Sequence, residues 1–314
     1  MFSLQFPIPI ENLPVTPPPK FLLSGCALPK PYVFKRRRFS NLRLRAADVA
    51  APVAEEAALP AGLQKEFLPR HVAVIMDGNV RWARRMNLPD SNGHDAGVRS
   101  LREMVDLCLE WDIPVLSVFA FSYDNWLRSK TTIEMEVAKA VVNREVDFLM
   151  FLFERVLKSE MEKSSRKGIR LSVIGDLSLL PKSLQTLINE AVERTKSNTK
   201  LQLIVAASYS GRYDVVQACR TLARKVKDNE IQVEDINDDL IEQELETKCT
   251  HIPHPDLLIR TSGELRISNF LLWQSAYTEF FFSETLWPDF RKDDFVEALL
   301  SYQTRQRRYG GRQS

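Results

Sequence analysis

From Leu68 onward the chain alternates short runs of β-branched and aromatic residues with amphipathic stretches of helical period, and nothing else in it narrows the fold as far. The apolar runs occupy residues 71–76, 115–121, 169–174, 201–206, 256–259 and 280–283. Between them, residues 93–111, 145–158, 181–195, 212–227 and 238–248 carry apolar side chains at helical spacing. A run that is apolar throughout suits a strand buried on both faces, and helices between such strands supply the cover. The expected fold is an α/β domain with a mostly parallel central sheet of about six strands flanked by helices.

Residues 1–60 are of another kind. They hold eight prolines before residue 32, the basic run Lys35-Arg36-Arg37-Arg38, and an Ala-rich stretch over 46–61. Residues 1–45 contain eight basic residues and one acid, Glu11, so this leader carries +7 while the rest of the chain carries −5. Such a segment lacks the apolar content to pack, and its basic, acid-poor composition is that of an organelle transit peptide. Its many prolines and few serines leave a plain disordered arm, or a nuclear signal at the basic run, as competing readings. A chloroplast is the expected destination, with the endoplasmic reticulum or cytosol as the alternative.

The acidic body excludes a nucleic-acid partner that needs a broad basic face. No apolar stretch approaches the roughly 18–20 residues that span a bilayer, so no transmembrane helix is expected. Cys26, Cys108, Cys219 and Cys249 stand far apart with no C-x-x-C spacing, which fits neither a zinc site nor a disulfide framework and points to a reducing compartment.

In an α/β sheet the chemistry is expected where strands end, and three loops concentrate polar residues there. The first is Ile75-Met-Asp77-Gly78-Asn79-Val80-Arg81-Trp82. Free N–H groups at a helix start attract phosphate, Arg81 adds charge-assisted hydrogen bonds, and Asp77 offers a carboxylate to Mg²⁺; the competing reading is an Asp-Gly turn with Asp77 capping the helix. The second, Phe121-Ser122-Tyr123-Asp124-Asn125-Trp126-Leu-Arg128, offers a hydroxyl, an amide and a cation. The third, Asp256-Leu-Leu-Ile-Arg260-Thr-Ser-Gly-Glu264-Leu-Arg266-Ile-Ser268-Asn269-Phe270, brings two arginines and a serine off one strand end, an anion clamp. No Walker loop or G-x-G-x-x-G occurs.

Together with Gly93-His94, Leu271-Leu-Trp-Gln, Trp287-Pro-Asp-Phe290 and the closing Arg307-Arg-Tyr-Gly-Gly311, these segments resemble, in order from about Pro69 to Gly311, the cis-prenyltransferase family of undecaprenyl and dehydrodolichyl diphosphate synthases, especially its plant chloroplast-type members. The resemblance implies a catalytic domain over 61–314 that condenses isopentenyl diphosphate with an allylic diphosphate primer, using Mg²⁺, to give a (Z)-polyprenyl diphosphate. It implies that Asp77 binds Mg²⁺ and drives diphosphate departure, with Glu279 as an assisting carboxylate. Gly78, Asn79, Arg81, Trp82 and His94 then gather around the allylic diphosphate, Ser122, Asn125, Trp126 and Arg128 flank the reacting ends, and Arg260, Arg266 and Ser268 grip isopentenyl diphosphate. It further implies a homodimer, or a heteromer with a noncatalytic subunit, in which the C-terminal Arg-Tyr-Gly segment reaches a neighbouring site. An apolar tunnel for the hydrocarbon is expected from Leu101, Met104, Leu149, Met150 and Phe153.

The chain departs from the family pattern at Val80, Asp90 and Tyr123-Asp124, and the connection ahead of the Glu145 helix is lengthened over 131–144. A short-chain or irregular (neryl- or lavandulyl-type) synthase is the alternative within this fold. A noncatalytic partner subunit is the alternative from another class, disfavoured because Asp77, Arg81, Arg260 and Arg266 are all present. Asp238-Asp-Leu-Ile-Glu242 and Asp293-Asp-Phe-Val-Glu297 look like the aspartate-rich signature of trans-prenyltransferases and terpene synthases. Those enzymes are all-helical, and acids in a helix's first turn are explained by the helix dipole.

Overall fold

The computed structural model describes residues 59–123, 125–126 and 136–306, with backbone alone for 136–145. The leader up to residue 58, Asp124, Arg128, residues 131–135 of the lengthened connection and the closing Arg-Tyr-Gly segment lie outside the described residues, while residues 136–144 of that connection are helical.

All six apolar runs form strands: β1 (His71–Ile75), β2 (Val115–Ser122), β3 (Ile169–Ile174), β4 (Leu201–Tyr209), β5 (Leu257–Arg260) and β6 (Glu279–Phe282). They build one sheet in the order β3-β4-β2-β1-β5-β6, parallel at every pairing. Every residue of β1 and β5 is buried, as their unbroken apolar sequences require. Side chains still alternate between faces. Val72 and Val74 join the larger core with Leu116, Val118, Leu257 and Ile259, while Ala73 and Ile75 join a smaller one with Ile204, Ala206, Leu258 and Phe270.

The helices are α1 (Asn79–Arg85), α2 (Asp90–Glu110), α3 (Glu136–Lys167), α4 (Lys182–Thr195), α5 (Gly211–Lys227), α6 (Asp238–Glu242) and α7 (Lys292–Gln303). The larger core is closed by Met104 and Cys108 of α2, Leu184 and Ile188 of α4, and Phe295 and Leu299 of α7. The helix expected over 238–248 is broken. It stops at Glu242 and resumes as a 3-10 turn, Glu246–Cys249. Long-range bonds outcompete the helical ones there: the Glu246 N–H donates to Asp214 Oδ1 at 2.9 Å, and the Cys249 carbonyl accepts from Gln202 Nε2 at 2.9 Å.

The topology itself marks a crevice. From β1 the chain moves on to β2 on one side, whereas from β5, the other neighbour of β1, it moves on to β6 in the opposite direction. Adjacent parallel strands whose connections diverge leave a gap beyond their carboxyl ends, and ligands of α/β sheets bind there. Asp77 and Arg260 stand at that point. Among the described residues no helix is long and apolar enough to cross a membrane, and Cys108, Cys219 and Cys249 are free thiols.

Candidate active site

Asp77 leaves β1 into a turn that its backbone cannot abandon. Its N–H donates to Thr261 Oγ1 at 3.0 Å, and its carbonyl accepts from Thr261 Oγ1 at 2.7 Å and from the Trp287 N–H at 3.0 Å. Gly78 follows at φ 105°, and a Cβ there would lie 2.9 Å from Leu286 Cδ2 and 3.1 Å from Ser262 Cβ, so only glycine makes this turn. Gly78, not Asp77, takes the cap position of α1, and no side chain caps that helix. The Asp77 carboxylate is therefore not spent on its own helix.

It is held by two cations. Arg260 Nη2 lies 2.9 Å from Asp77 Oδ2, and Arg81 Nη2 lies 3.5 Å from Oδ1. Burial opposes ionisation of Asp77, but the Arg260 hydrogen bond and the charges of Arg260 and Arg81 outweigh it and hold the carboxyl below the usual carboxylate range. The group is charged at neutral pH. Arg260 is itself buried and donates through Nη1 to the Arg266 carbonyl at 2.5 Å and to Ser268 Oγ at 2.7 Å. Arg81 is fixed by the Ser262 carbonyl at 3.1 Å and by Ser262 Oγ.

The second polar loop converges on the same place. Trp126 donates its indole N–H to Ser208 Oγ at 2.9 Å and meets the Phe121 ring edge-on at 5.1 Å. Tyr123 stacks on Tyr213 of α5 at 4.7 Å, and the Tyr213 hydroxyl donates to Asp176 Oδ2 at 3.1 Å. The loop carrying Ser122 and Asn125 is thus latched to β4, to α5 and to the end of β3.

Two cavities of about 570 Å³ each open around these groups. The first runs from Asp77, Asn79, Arg81 and His94 between α2 and α3 over the exposed faces of β2, β3 and β4, and is walled by Leu101, Leu149, Met150 and Phe153. Val80 also lines it. Its far rim is charged, with Arg102 2.9 Å from Glu160 and Lys167 2.5 Å from Asp106. The second is shorter and more polar, lined by Ser122, Asn125, Arg212, Arg260, Ser268 and Asn269. Met76, Asp77, Phe119, Ala120, Phe121 and Asn125 belong to both, and Asp77 is the charged one among them. A long apolar channel and a polar pocket therefore meet at one charged carboxylate.

A family model described as putative undecaprenyl diphosphate synthase matches residues 75–310. The chain belongs to this prenyltransferase family. It is 58% identical over 268 residues to dehydrodolichyl diphosphate synthase 2 of Arabidopsis thaliana, covering 85% of this chain and 82% of that one. It is also 58% identical over 260 residues to the chloroplastic dehydrodolichyl diphosphate synthase CPT5 of Solanum lycopersicum, covering 83% and 79%. Among solved structures, lavandulyl diphosphate synthase from Lavandula x intermedia in complex with dimethylallyl diphosphate superposes with a TM-score of 0.71 at 38% identity, covering 78% of this chain and 99% of that one.

Within this prenyltransferase most of the expected residues that are described line the two cavities, and five do not: Trp82, Met104, Trp126, Arg266 and Glu279. Trp82 turns away, its indole donating to Asp289 Oδ1 at 2.7 Å, so it braces the 287–289 turn and lines neither cavity. Arg266 gives the cluster its carbonyl alone; its exposed guanidinium pairs with Glu264 Oε2 at 2.5 Å. Glu279 begins β6 in register with Leu257, at the end of the sheet opposite Arg260 and Asp77, and is paired with Arg305 Nη1 at 2.6 Å. The two carboxylates do not meet within one chain. Met104 packs in the core instead of lining the channel.

Of the two Asp-rich helix starts, that of α7 supplies a capping acid, while α6 is capped by Asn237, whose Oδ1 accepts from the Leu240 N–H at 2.9 Å. Asp294 accepts from the Arg291 N–H at 2.9 Å and from Thr285 Oγ1 at 2.8 Å, and Glu242 faces His254 Nε2 at 3.1 Å. Neither group approaches the cavities. Sequence reasoning passed over Thr261, Ser262 and Arg212. The first two stand inside the quoted Arg260-Thr-Ser-Gly run, but Arg212 follows an ordinary strand end and carries no local signal.

Proposed function

We propose that this prenyltransferase joins isopentenyl diphosphate to an allylic diphosphate primer and forms a (Z)-prenyl diphosphate. One observation carries the reading: an apolar channel and a polar, cationic pocket share Asp77 as their common wall. The primer's diphosphate lies at the channel mouth against Gly78, Asn79, Arg81 and His94, with its hydrocarbon between α2 and α3. Isopentenyl diphosphate lies in the second pocket against Arg260 and Ser268, its double bond toward Ser122 and Asn125.

The chain's own groups then have definite tasks. The primer's C–O bond breaks with the electron pair leaving on diphosphate, and charge accumulates on the leaving oxygens beside Arg81. Fixed cations that need no reorganisation stabilise such charge most effectively. The double bond of isopentenyl diphosphate attacks the allylic carbon, and loss of one proton from the adduct restores a double bond. The walls formed by Leu149, Met150 and Phe153 keep water from the cation and receive the growing chain.

Mg²⁺ is the cofactor the family implies. Asp77 is an ionised carboxylate at the junction, and among the described residues no group of three acidic, His or Cys side chains is placed to cage a metal. That donor set fits a hard cation bound by one carboxylate and completed by substrate phosphate oxygens and water. When bound there, the ion would offset charge on the departing diphosphate.

Residues 1–60 act in this reading as a plastid-directing leader to a catalytic domain over 61–314, supported by the leader's composition and by the chloroplastic relative. The function is tested by incubating the protein with Mg²⁺, labelled isopentenyl diphosphate and dimethylallyl, geranyl or farnesyl diphosphate. Label in an acid-labile, butanol-soluble product is expected with at least one primer.

A further inference from the structure

Among the described residues the polar pocket is lined by three charged side chains: Asp77, Arg260 and Arg212. Arg260 lies 2.9 Å from Asp77, so these two cancel. Arg266, the other arginine of the same loop, is occupied by Glu264 outside the pocket. Arg212 is exposed at the start of α5, and among the described residues its guanidinium has no hydrogen-bond or ion-pair partner. Among the described residues, the positive charge that an anion entering the pocket meets uncompensated is that of Arg212.

Its placement is built into the fold. The backbone N–H of Arg212 donates to Asn269 Oδ1 at 3.0 Å, the Gly211 N–H donates to the Asn269 carbonyl at 2.8 Å, and Asn269 Nδ2 donates to Ser210 Oγ at 2.6 Å. A Cβ on Gly211 would stand 2.7 Å from Leu272 Cβ and 2.9 Å from the Asn269 oxygen, so the approach needs glycine. Ser268 and Asn269 both adopt positive φ, 45° and 63°, conformations that turn Ser268 toward Arg260 while Asn269 caps onto α5. One two-residue unit thus ties the backbone of Arg212 to the loop that holds the Arg260 guanidinium.

We propose that Arg212 is a second guanidinium of the isopentenyl diphosphate clamp, in the same pocket as Arg260, and that Asn269 is the residue that positions it. The assignment rests on the function proposed above and adds a binding residue to it. A diphosphate presents oxygens on two phosphorus atoms, and the exposed planar guanidinium of Arg212 can grip it bidentately in the pocket that Arg260 and Ser268 also line. A lysine at 212 keeps the charge but not the fork.

The test compares steady-state kinetics of the full chain with those of Arg212→Ala, Arg212→Lys and Asn269→Ala, with Arg224→Ala, an exposed arginine in the last turn of α5, as the control for lost positive charge. Arg212→Ala should raise the KM for isopentenyl diphosphate about ten- to a hundredfold, the usual cost of a charge-assisted contact. The primer KM should stay within about twofold by the same separation of the two pockets. Arg212→Lys and Asn269→Ala should fall between it and the full chain, and Arg224→Ala should match the full chain. An unchanged isopentenyl diphosphate KM in Arg212→Ala, or a rise confined to the primer, would overturn the proposal. Should the full chain show no turnover with any primer, calorimetric titration with inorganic pyrophosphate still decides: weaker binding to Arg212→Ala than to the full chain supports the clamp, and equal binding refutes it.

Discussion

Arg260 Nη2 and Asp77 Oδ2 lie 2.9 Å apart across 183 residues of sequence, joining the carboxyl ends of β1 and β5. Arg260 is nearly inaccessible and keeps two further acceptors, the Arg266 carbonyl and Ser268 Oγ, whereas Asp77 is about one-third exposed on the cavity side. The arginine is a fixed post. Both line the polar pocket, the carboxylate is the more exposed partner, and its charge is preset before any substrate arrives.

Replacing Asp77 by Asn tests that division of labour. Shape is preserved, the Asn amide oxygen can still accept from the buried Arg260, and Arg260 retains its other acceptors, so the melting temperature should move by only a few degrees. Turnover should fall by about a hundredfold or more, the usual loss when a charge that acts in the transition state is removed. Measuring kcat alongside thermal unfolding separates the two effects. A large fall in stability with little loss of kcat would make Asp77 a structural residue.

The stability of the fold should weaken in mild acid because of His71. It is 0% exposed at the start of β1, its Nε2 is 2.7 Å from Ser117 Oγ, and burial lowers its pKa to about 4. The folded state thus keeps the ring neutral while the unfolded chain takes up a proton below about pH 6.5, so stability is lost as pH falls from about 6.5 toward 4, by roughly 3 kcal/mol at most. Urea unfolding across this range should show that slope, and His71→Gln should flatten it. An equal slope in the variant would place the acid sensitivity elsewhere.

Phe153 is the large side chain of α3 that walls the channel partway along it. Truncation to Ala removes most of a ring and leaves room that a hydrocarbon can occupy. The expected outcome is a shift of the product distribution to longer chains, read by chromatography of the dephosphorylated alcohols. Unchanged products would show that chain growth does not pass this residue.

Fusion of residues 1–60 to a fluorescent reporter should give plastid fluorescence in plant cells. Cytosolic, nuclear or endoplasmic-reticulum signal would reject the leader reading.

The sheet was legible because each strand's sequence is apolar on both faces, and that pattern survives any tertiary arrangement. The site was legible where its residues cluster along the chain, as in Asp77-Gly78-Asn79 and Arg260 to Ser268. What could not be read was direction. Glu279 sits on a recognisable strand, but only the register of β5 with β6 shows that within one chain it lies at the end of the sheet opposite Asp77. Trp82 is three positions beyond Asn79 on α1, yet a long-range bond to Asp289 decides which way it points. Arg212 enters the pocket solely because Asn269, far along the chain, draws the start of α5 onto the clamp loop. The broken helix after Glu242 has the same origin, since its interrupting bonds come from α5 and β4.

The most direct test of the central claim is the configuration of the double bond made in one condensation. With dimethylallyl diphosphate, Mg²⁺ and ¹³C-labelled isopentenyl diphosphate, or with geranyl or farnesyl diphosphate if that is the primer accepted, the newly added unit should carry a Z double bond in the ¹³C spectrum of the dephosphorylated product. An E double bond, or no label incorporated with any of the three primers, would contradict it.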